Sequence, residues 1–126
     1  PKGAGGKLVA YAKESGADAI GLDETVDPAW ANAALPEGLP VQGNLDPLAL
    51  LAGGAELDSA IDRLTTALRG RPHIFNLGHG ILPQTPIAHV EALLAQVRGM
   101  AWGCMRFGVS DGATEPETSS HTASRT

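Results

Sequence analysis

The stretch Phe75-Asn76-Leu77-Gly78-His79-Gly80-Ile81-Leu82-Pro83-Gln84-Thr85-Pro86 decides how the rest of the chain is read. His73-Ile74-Phe75, entering it, reads as a short buried strand, and Thr85-Pro86, leaving it, reads as an N-cap followed by proline at the first helical position. Between them one histidine stands between two glycines. Gly78 and Gly80 are expected to supply backbone angles closed to other residues and to leave the imidazole uncrowded. A strand that runs into such a turn and then into a helix start is where parallel α/β proteins present side chains to ligands.

Working outward, the same local grammar recurs at Asp27-Pro28 and Asp46-Pro47, which follow the candidate strands Ala19-Ile20-Gly21-Leu22 and Pro40-Val41-Gln42-Gly43. Proline is tolerated in a first helical turn because that N–H has no intrahelical partner, and a cap oxygen satisfies a neighbouring orphan donor. The helices between are legible by period. Leu57, Ile61, Leu64 and Leu68 share one face, with Glu56 and Asp58 near the positive end and Arg69 near the negative end. Val90, Leu93, Leu94 and Val97 repeat the pattern with Gly99 as the expected C-terminal cap, and Leu8, Val9 and Ala12 mark an opening helix that Gly16 should stop. Strands alternating with helices predict a parallel sheet covered by helices, in the order α-β-α-β-α-β-α.

Composition narrows the function classes. The 126 residues are 43% hydrophobic with a net charge of −5, which gives one domain's bulk and no basic footprint for nucleic acid. One cysteine, Cys104, excludes an internal disulfide and points to a reducing, cytoplasmic setting; no apolar run reaches the roughly 20 residues of a membrane span. Pro1 opens the chain without a methionine or a leader pattern, so a piece of a longer polypeptide is expected. Residues 110–126 contain no Val, Ile, Leu, Met or aromatic residue, and residues 100–126 are expected to form a tail separate from the domain of residues 1–99, disordered at least from Ser110.

Three strand ends carry the candidate chemistry. His79 is either a turn histidine bonded to backbone or a ligand-facing one, and its glycine-flanked position at a strand end favours the second. In Gly43-Asn44-Leu45-Asp46-Pro47, Asp46 reads as a helix cap, while Asn44 could hold a turn or face a ligand. In Gly21-Leu22-Asp23-Glu24-Thr25-Val26, Asp23 could contact a ligand or bond the amides of neighbouring loops. His73, His89 and His121 have no zinc-ligand spacing, and Cys104 has no neighbour that would lower its pKa. The opening Pro1-Lys2-Gly3-Ala4-Gly5-Gly6 lacks the Walker spacing of a phosphate loop and reads as a strand-to-helix connection.

The segments Gly21 to Val26, Gly43 to Pro47 and Asn76 to Pro83 together resemble, in order and separation, the uroporphyrinogen decarboxylase family, and Val90 to Gly99 resembles its final barrel helix. That resemblance implies the C-terminal part of a (β/α)8 TIM barrel, about three parallel strands with flanking helices, since a full barrel typically needs about 250 residues. It implies a carboxy-lyase of haem and porphyrin biosynthesis that converts uroporphyrinogen III to coproporphyrinogen III without metal or organic cofactor. It further implies a tetrapyrrole substrate, no membrane partner, and a homodimer when full length. His79 carries over as the substrate-binding residue, with Asp23, Asn44, Asn76, Gly78 and Gly80 as secondary positions. No catalytic residue is expected in this segment, because the family's pyrrole-facing aspartate and carboxylate-binding arginines belong to its N-terminal part. Relatives commonly show Trp after the aspartate of the first motif, where this chain has Glu24.

Two other readings stand beside it. Methyltransferases of the same superfamily, acting on cobalamin- or folate-linked methyl groups with thiolate-held zinc, tend to show Cys at the position of His79; histidine there, with no cysteine in residues 1–99, favours the decarboxylase. The third reading is an inactive truncated product whose Ser/Thr-rich tail replaces a native terminus.

Overall fold

The computed structural model describes residues 2–105, and the side chains of residues 2–100. A short 3-10 turn leads into α1 (Leu8–Glu14), followed by β1 (Ile20–Leu22), α2 (Pro28–Ala34), β2 (Val41–Leu45), α3 (Pro47–Ala52), α4 (Gly54–Ala67), β3 (His73–Leu77) and α5 (Ile87–Met105). The strands form one sheet in the order β1-β2-β3, all parallel, with Ile20 opposite Val41 and Val41 opposite His73. Parallel crossovers are right-handed. Successive crossovers stepping in one direction therefore lay every helix on the same face, the winding of a barrel and not of a doubly wound sheet.

Burial follows that winding. On the covered face Ile20, Leu22, Val41 and Leu45 join Leu57, Ile61, Leu64 and Leu68 in one core, with Phe75 and Leu77 packed against it. On the other face Gly21, Gln42 and Asn76 are exposed and Ile74 is 54% exposed. β3 is thus not the buried strand expected from His73-Ile74-Phe75: it lies at the sheet edge, where alternate residues face the uncovered side.

Two of the three expected caps are made. Asp27 accepts from the N–H groups of Ala29 and Trp30 (2.8 and 3.3 Å), and Asp46 from that of Leu48 (2.9 Å), each with proline beginning the helix. Thr85 does not cap. Its Oγ1 is buried without a partner among the described residues, its N–H closes a turn onto the Leu82 carbonyl (3.0 Å), and α5 begins only at Ile87.

Two helix boundaries differ from expectation. The helix opened by Asp46-Pro47 is interrupted at Gly53-Gly54, both with positive φ (65° and 55°), giving α3 and α4 where one helix was read. The adjacent glycines are the local signal for that corner. A Cβ on Gly53 would also lie 2.5 Å from the ring of His89, whose Nδ1 bonds the Leu50 carbonyl at the end of α3 (2.9 Å). Conversely, Gly99 does not end α5. A glycine inside a helix costs only about 1 kcal/mol, and Met100 beyond it packs against the core. Leu94, placed on the buried stripe by period, is 44% exposed, whereas Leu93, Val90 and Val97 face the core. The expected separation of a tail at residue 100 is crossed by α5, and residues 106–126, including the segment read as disordered, lie outside the described residues. Among the described residues no helix is long and apolar enough to cross a membrane.

Candidate functional site at the carboxyl edge of the sheet

Because the strands run the same way, Asp23, Asp46 and His79, each just beyond a strand, lie along one edge. What joins these ends is mostly backbone. Just before its last residue, Leu45, β2 has two residues with positive φ, Gly43 (109°) and Asn44 (96°). A Cβ on Gly43 would come within 2.6 Å of the Leu22 carbonyl oxygen, so no larger residue fits between the neighbouring strands without a backbone shift. Asn44, 8% exposed, swings its amide beneath the β1 loop and donates from Nδ2 to the carbonyls of Asp23 (2.6 Å) and Val26 (2.8 Å). The left-handed angle is tolerated best by Gly, Asn and Asp among ordinary residues. Here its use is to satisfy two loop carbonyls from one side chain.

The Gly78 segment completes the junction. Its N–H donates to the Leu45 carbonyl (2.8 Å), and a Cβ at Gly78 would overlap the backbone of Asp23 and Glu24. The requirement for glycine is therefore close approach. Neither Gly78 nor Gly80 has positive φ, contrary to the expectation of special backbone angles, and Gly80 has open space around it.

Asp23 is 5% exposed, and its carboxylate accepts three hydrogen bonds: from Gly3 N–H at Oδ2, and from Thr25 N–H and Oγ1 at Oδ1. The Gly3 amide is the main cause holding this carboxyl below its ordinary value of 3.8; the Thr25 hydroxyl acts the same way and burial opposes both. Asp23 thereby fastens the opening loop of the chain to the end of β1. That loop carries Lys2 across the edge, where its Nζ lies 2.9 Å from Nδ1 and 3.3 Å from Nε2 of His79. Both side chains are exposed. Lys2, Gly21, Asp23, Gln42 and Gly78 line an open cleft of about 210 Å³; His79 lies beside it, in contact with Lys2. Asn76 is exposed, and its Oδ1 accepts from the Leu77 N–H (2.8 Å).

The other histidines and Glu24 complete the inventory. His73 bonds the Gly43 carbonyl (3.0 Å) and leans on Phe75, with ring centroids 5.7 Å apart. Glu24 is partly buried, with Oε2 unpartnered among the described residues. Lys2 is the site residue that sequence reasoning missed. Its loop reads locally as a connection only, and its one local signal is the glycine-rich run Gly3-Ala4-Gly5-Gly6 that follows it, which says nothing of a contact 77 positions away.

A singly wound parallel sheet with helices on one face and polar side chains gathered at its carboxyl edge defines a barrel-type α/β protein, whose ligand sites occupy that edge. The family model described as uroporphyrinogen decarboxylase (URO-D) matches residues 1–100. Over 99 residues the chain is 76% identical to the uroporphyrinogen decarboxylase of Sphingopyxis alaskensis, 75% to that of Rhizorhabdus wittichii and 62% to that of Novosphingobium aromaticivorans. Each alignment covers 79% of this chain and 29% of the relative, so the chain spans less than a third of the length of these curated relatives. The chain belongs to the uroporphyrinogen decarboxylase family.

Proposed function

We propose that this chain is the C-terminal part of a uroporphyrinogen decarboxylase barrel, with residues 1–99 as its family domain and His79 as a contact for a substrate carboxylate. The observation that carries the reading is the position of His79: exposed, just past a parallel strand, on the edge where a barrel binds its ligand, in a segment matched by the family.

The chemistry sets the task. Each acetate arm loses its carboxylate as CO₂ when the bond between that carboxylate and its methylene breaks; the electron pair flows into the protonated pyrrole, a proton taken up at the methylene makes a methyl group, and loss of the proton first added to the ring restores the neutral pyrrole. A protein serving this reaction must stabilise a cationic ring and hold several anionic arms in a closed site, work for preorganised dipoles and charges. A cleft of about 210 Å³ is smaller than the roughly 300–1,000 Å³ that encloses a whole small ligand. It suits one acidic arm. The aspartate facing the pyrrole nitrogens and the arginines for other carboxylates belong to the rest of the barrel, so the 126-residue chain alone is expected to be inactive. The full-length protein is expected to act as a homodimer in the cytoplasm.

The test replaces the matching 99 residues of the Sphingopyxis alaskensis relative with residues 1–99 of this chain and measures coproporphyrinogen formation. The 76% identity makes that exchange structurally mild. Loss of a hydrogen bond to a charged group costs about 1.5–3 kcal/mol, so His79→Ala in this hybrid should lower kcat/KM roughly ten- to two-hundredfold. An unimpaired variant would return His79 to a turn histidine, and turnover by the 126-residue chain alone would refute the division of labour.

A further inference from the structure

We propose that Lys2 and His79 form one carboxylate clamp, in which Lys2 is a substrate-binding residue and Asp23 the residue that positions it; this deepens, and rests on, the decarboxylase reading of the same edge. Lys2 is brought to His79 by a tertiary connection, because the neighbouring Gly3 N–H is bonded to a carboxylate that is itself buried and fixed by Thr25. An ammonium held by a buried anchor one residue away is placed, although its own side chain remains exposed.

The ammonium is also under-used. Among the described residues its hydrogen-bonding partner is His79, and its Nζ straddles the two ring nitrogens at 2.9 and 3.3 Å instead of lying on the lone-pair axis of one. Lysine has three N–H donors and no acceptor. Such a contact leaves donors unspent, and an anion entering between ammonium and imidazole would draw on both. The two groups are close enough to reach the two oxygens of a single carboxylate, or to share one, in the manner of a charge-assisted pair. The cleft beside them holds about 210 Å³, enough for a carboxymethyl or carboxyethyl arm.

Charge makes the lysine necessary. Asp23 lines the same cleft and carries a carboxylate held in its ionised form by the Gly3 and Thr25 hydrogen bonds. An acidic arm arriving there meets a like charge unless a cation stands beside it. Among the described residues that line the cleft, Lys2 supplies the ammonium. Its contribution is to ground-state binding of the arm, so its removal should raise KM more than it lowers kcat.

The experiment uses the full-length hybrid described above, with Lys2→Met and Lys2→Arg compared with the unmodified hybrid for KM, kcat and thermal midpoint. Lys2→Met should raise KM roughly ten- to hundredfold with kcat within about threefold, at an unchanged midpoint, while Lys2→Arg keeps KM within about fivefold. Raising salt should weaken substrate binding by the hybrid more than by Lys2→Met, since a screened charge has less to lose when it is already gone. An active hybrid whose KM is unaffected by Lys2→Met overturns the clamp while leaving the decarboxylase reading intact. Equal impairment of both variants with a lowered midpoint also overturns it, by showing a structural role. An inactive unmodified hybrid instead removes the decarboxylase reading on which the clamp rests.

Discussion

At the amino ends of the strands Arg71, half-buried, spends its guanidinium on neighbouring protein groups, whereas at the carboxyl ends the exposed Lys2 holds its ammonium over a cleft with donors unspent. Arg71 makes five hydrogen bonds: Nε to Asn32 Oδ1, Nη1 to the carbonyls of Pro36 and Leu39, and Nη2 to those of Asn32 and Leu35. Asn32 in turn donates to the Ala67 carbonyl at the end of α4, so one cation ties together the end of α2, the loop into β2 and the approach to β3. Among the described residues Lys2 meets a single histidine. The difference teaches how to read a cation in a fold: one whose donors are taken up by backbone carbonyls and a neighbouring amide is part of the scaffold, and one with donors to spare beside a cleft is open to a ligand. The planar, forked guanidinium suits the first task and the compact ammonium the second.

The sharpest way to break this contrast is at Gly78, where the carboxyl edge is closed by backbone contact. Gly78→Ala forces a methyl group into the backbone of Asp23 and Glu24, which cannot rotate away as a side chain could. The expected cost is about 3 kcal/mol, the upper part of the range for overpacking, read as a lower denaturant midpoint with unchanged slope. A cost below about 1 kcal/mol would mean that the three strand ends are not held as tightly as the geometry says.

At the opposite end, Arg71→Lys should cost somewhat less, about 2 kcal/mol, because an ammonium with three donors cannot replace a fork that serves five acceptors. It should leave substrate binding at the far edge unchanged in the hybrid enzyme. Comparable losses of stability and of substrate affinity would erase the distinction between a scaffold cation and a ligand cation.

The smallest effect is confined to acid. Asp23, its pKa depressed by Gly3 and Thr25, adds stability that is complete above its unfolded value and is lost as pH falls through the lower folded value. Stability should therefore decline below about pH 4 as the carboxylate is protonated and the loop bearing Lys2 is released. Asp23→Asn presents an amide to the Gly3 N–H or gives up a Thr25 bond, so it should be less stable at neutral pH yet flatter over the acid range. A wild-type acid slope no steeper than that of the variant would show that the carboxylate is not the anchor of that loop.

Much of this molecule is local, and a large part of what is local was legible in the chain. Asp27-Pro28 and Asp46-Pro47 make their caps because cap and capped amides are two or three residues apart, and Leu57, Ile61, Leu64 and Leu68 reach the core because the helical period alone puts them on one stripe. The alternation of strand and helix sufficed for a parallel sheet, and the Gly78-His79-Gly80 segment does lie just past the end of a strand. Other outcomes depended on what stands opposite. Gly78 is needed for the backbone it touches and not for its own φ; β3 is half exposed because its outer neighbour is no part of this sheet; Thr85 lost its cap to a turn; and α5 passed Gly99 because Met100 had a core to pack on. The meeting of Lys2 with His79, and the five carbonyl and amide acceptors gathered around Arg71, join residues 32 to 77 positions apart. Hydrogen bonds over such separations have no period and no spacing in the sequence. They exist only once crossovers of fixed hand have brought the strand ends to a common edge.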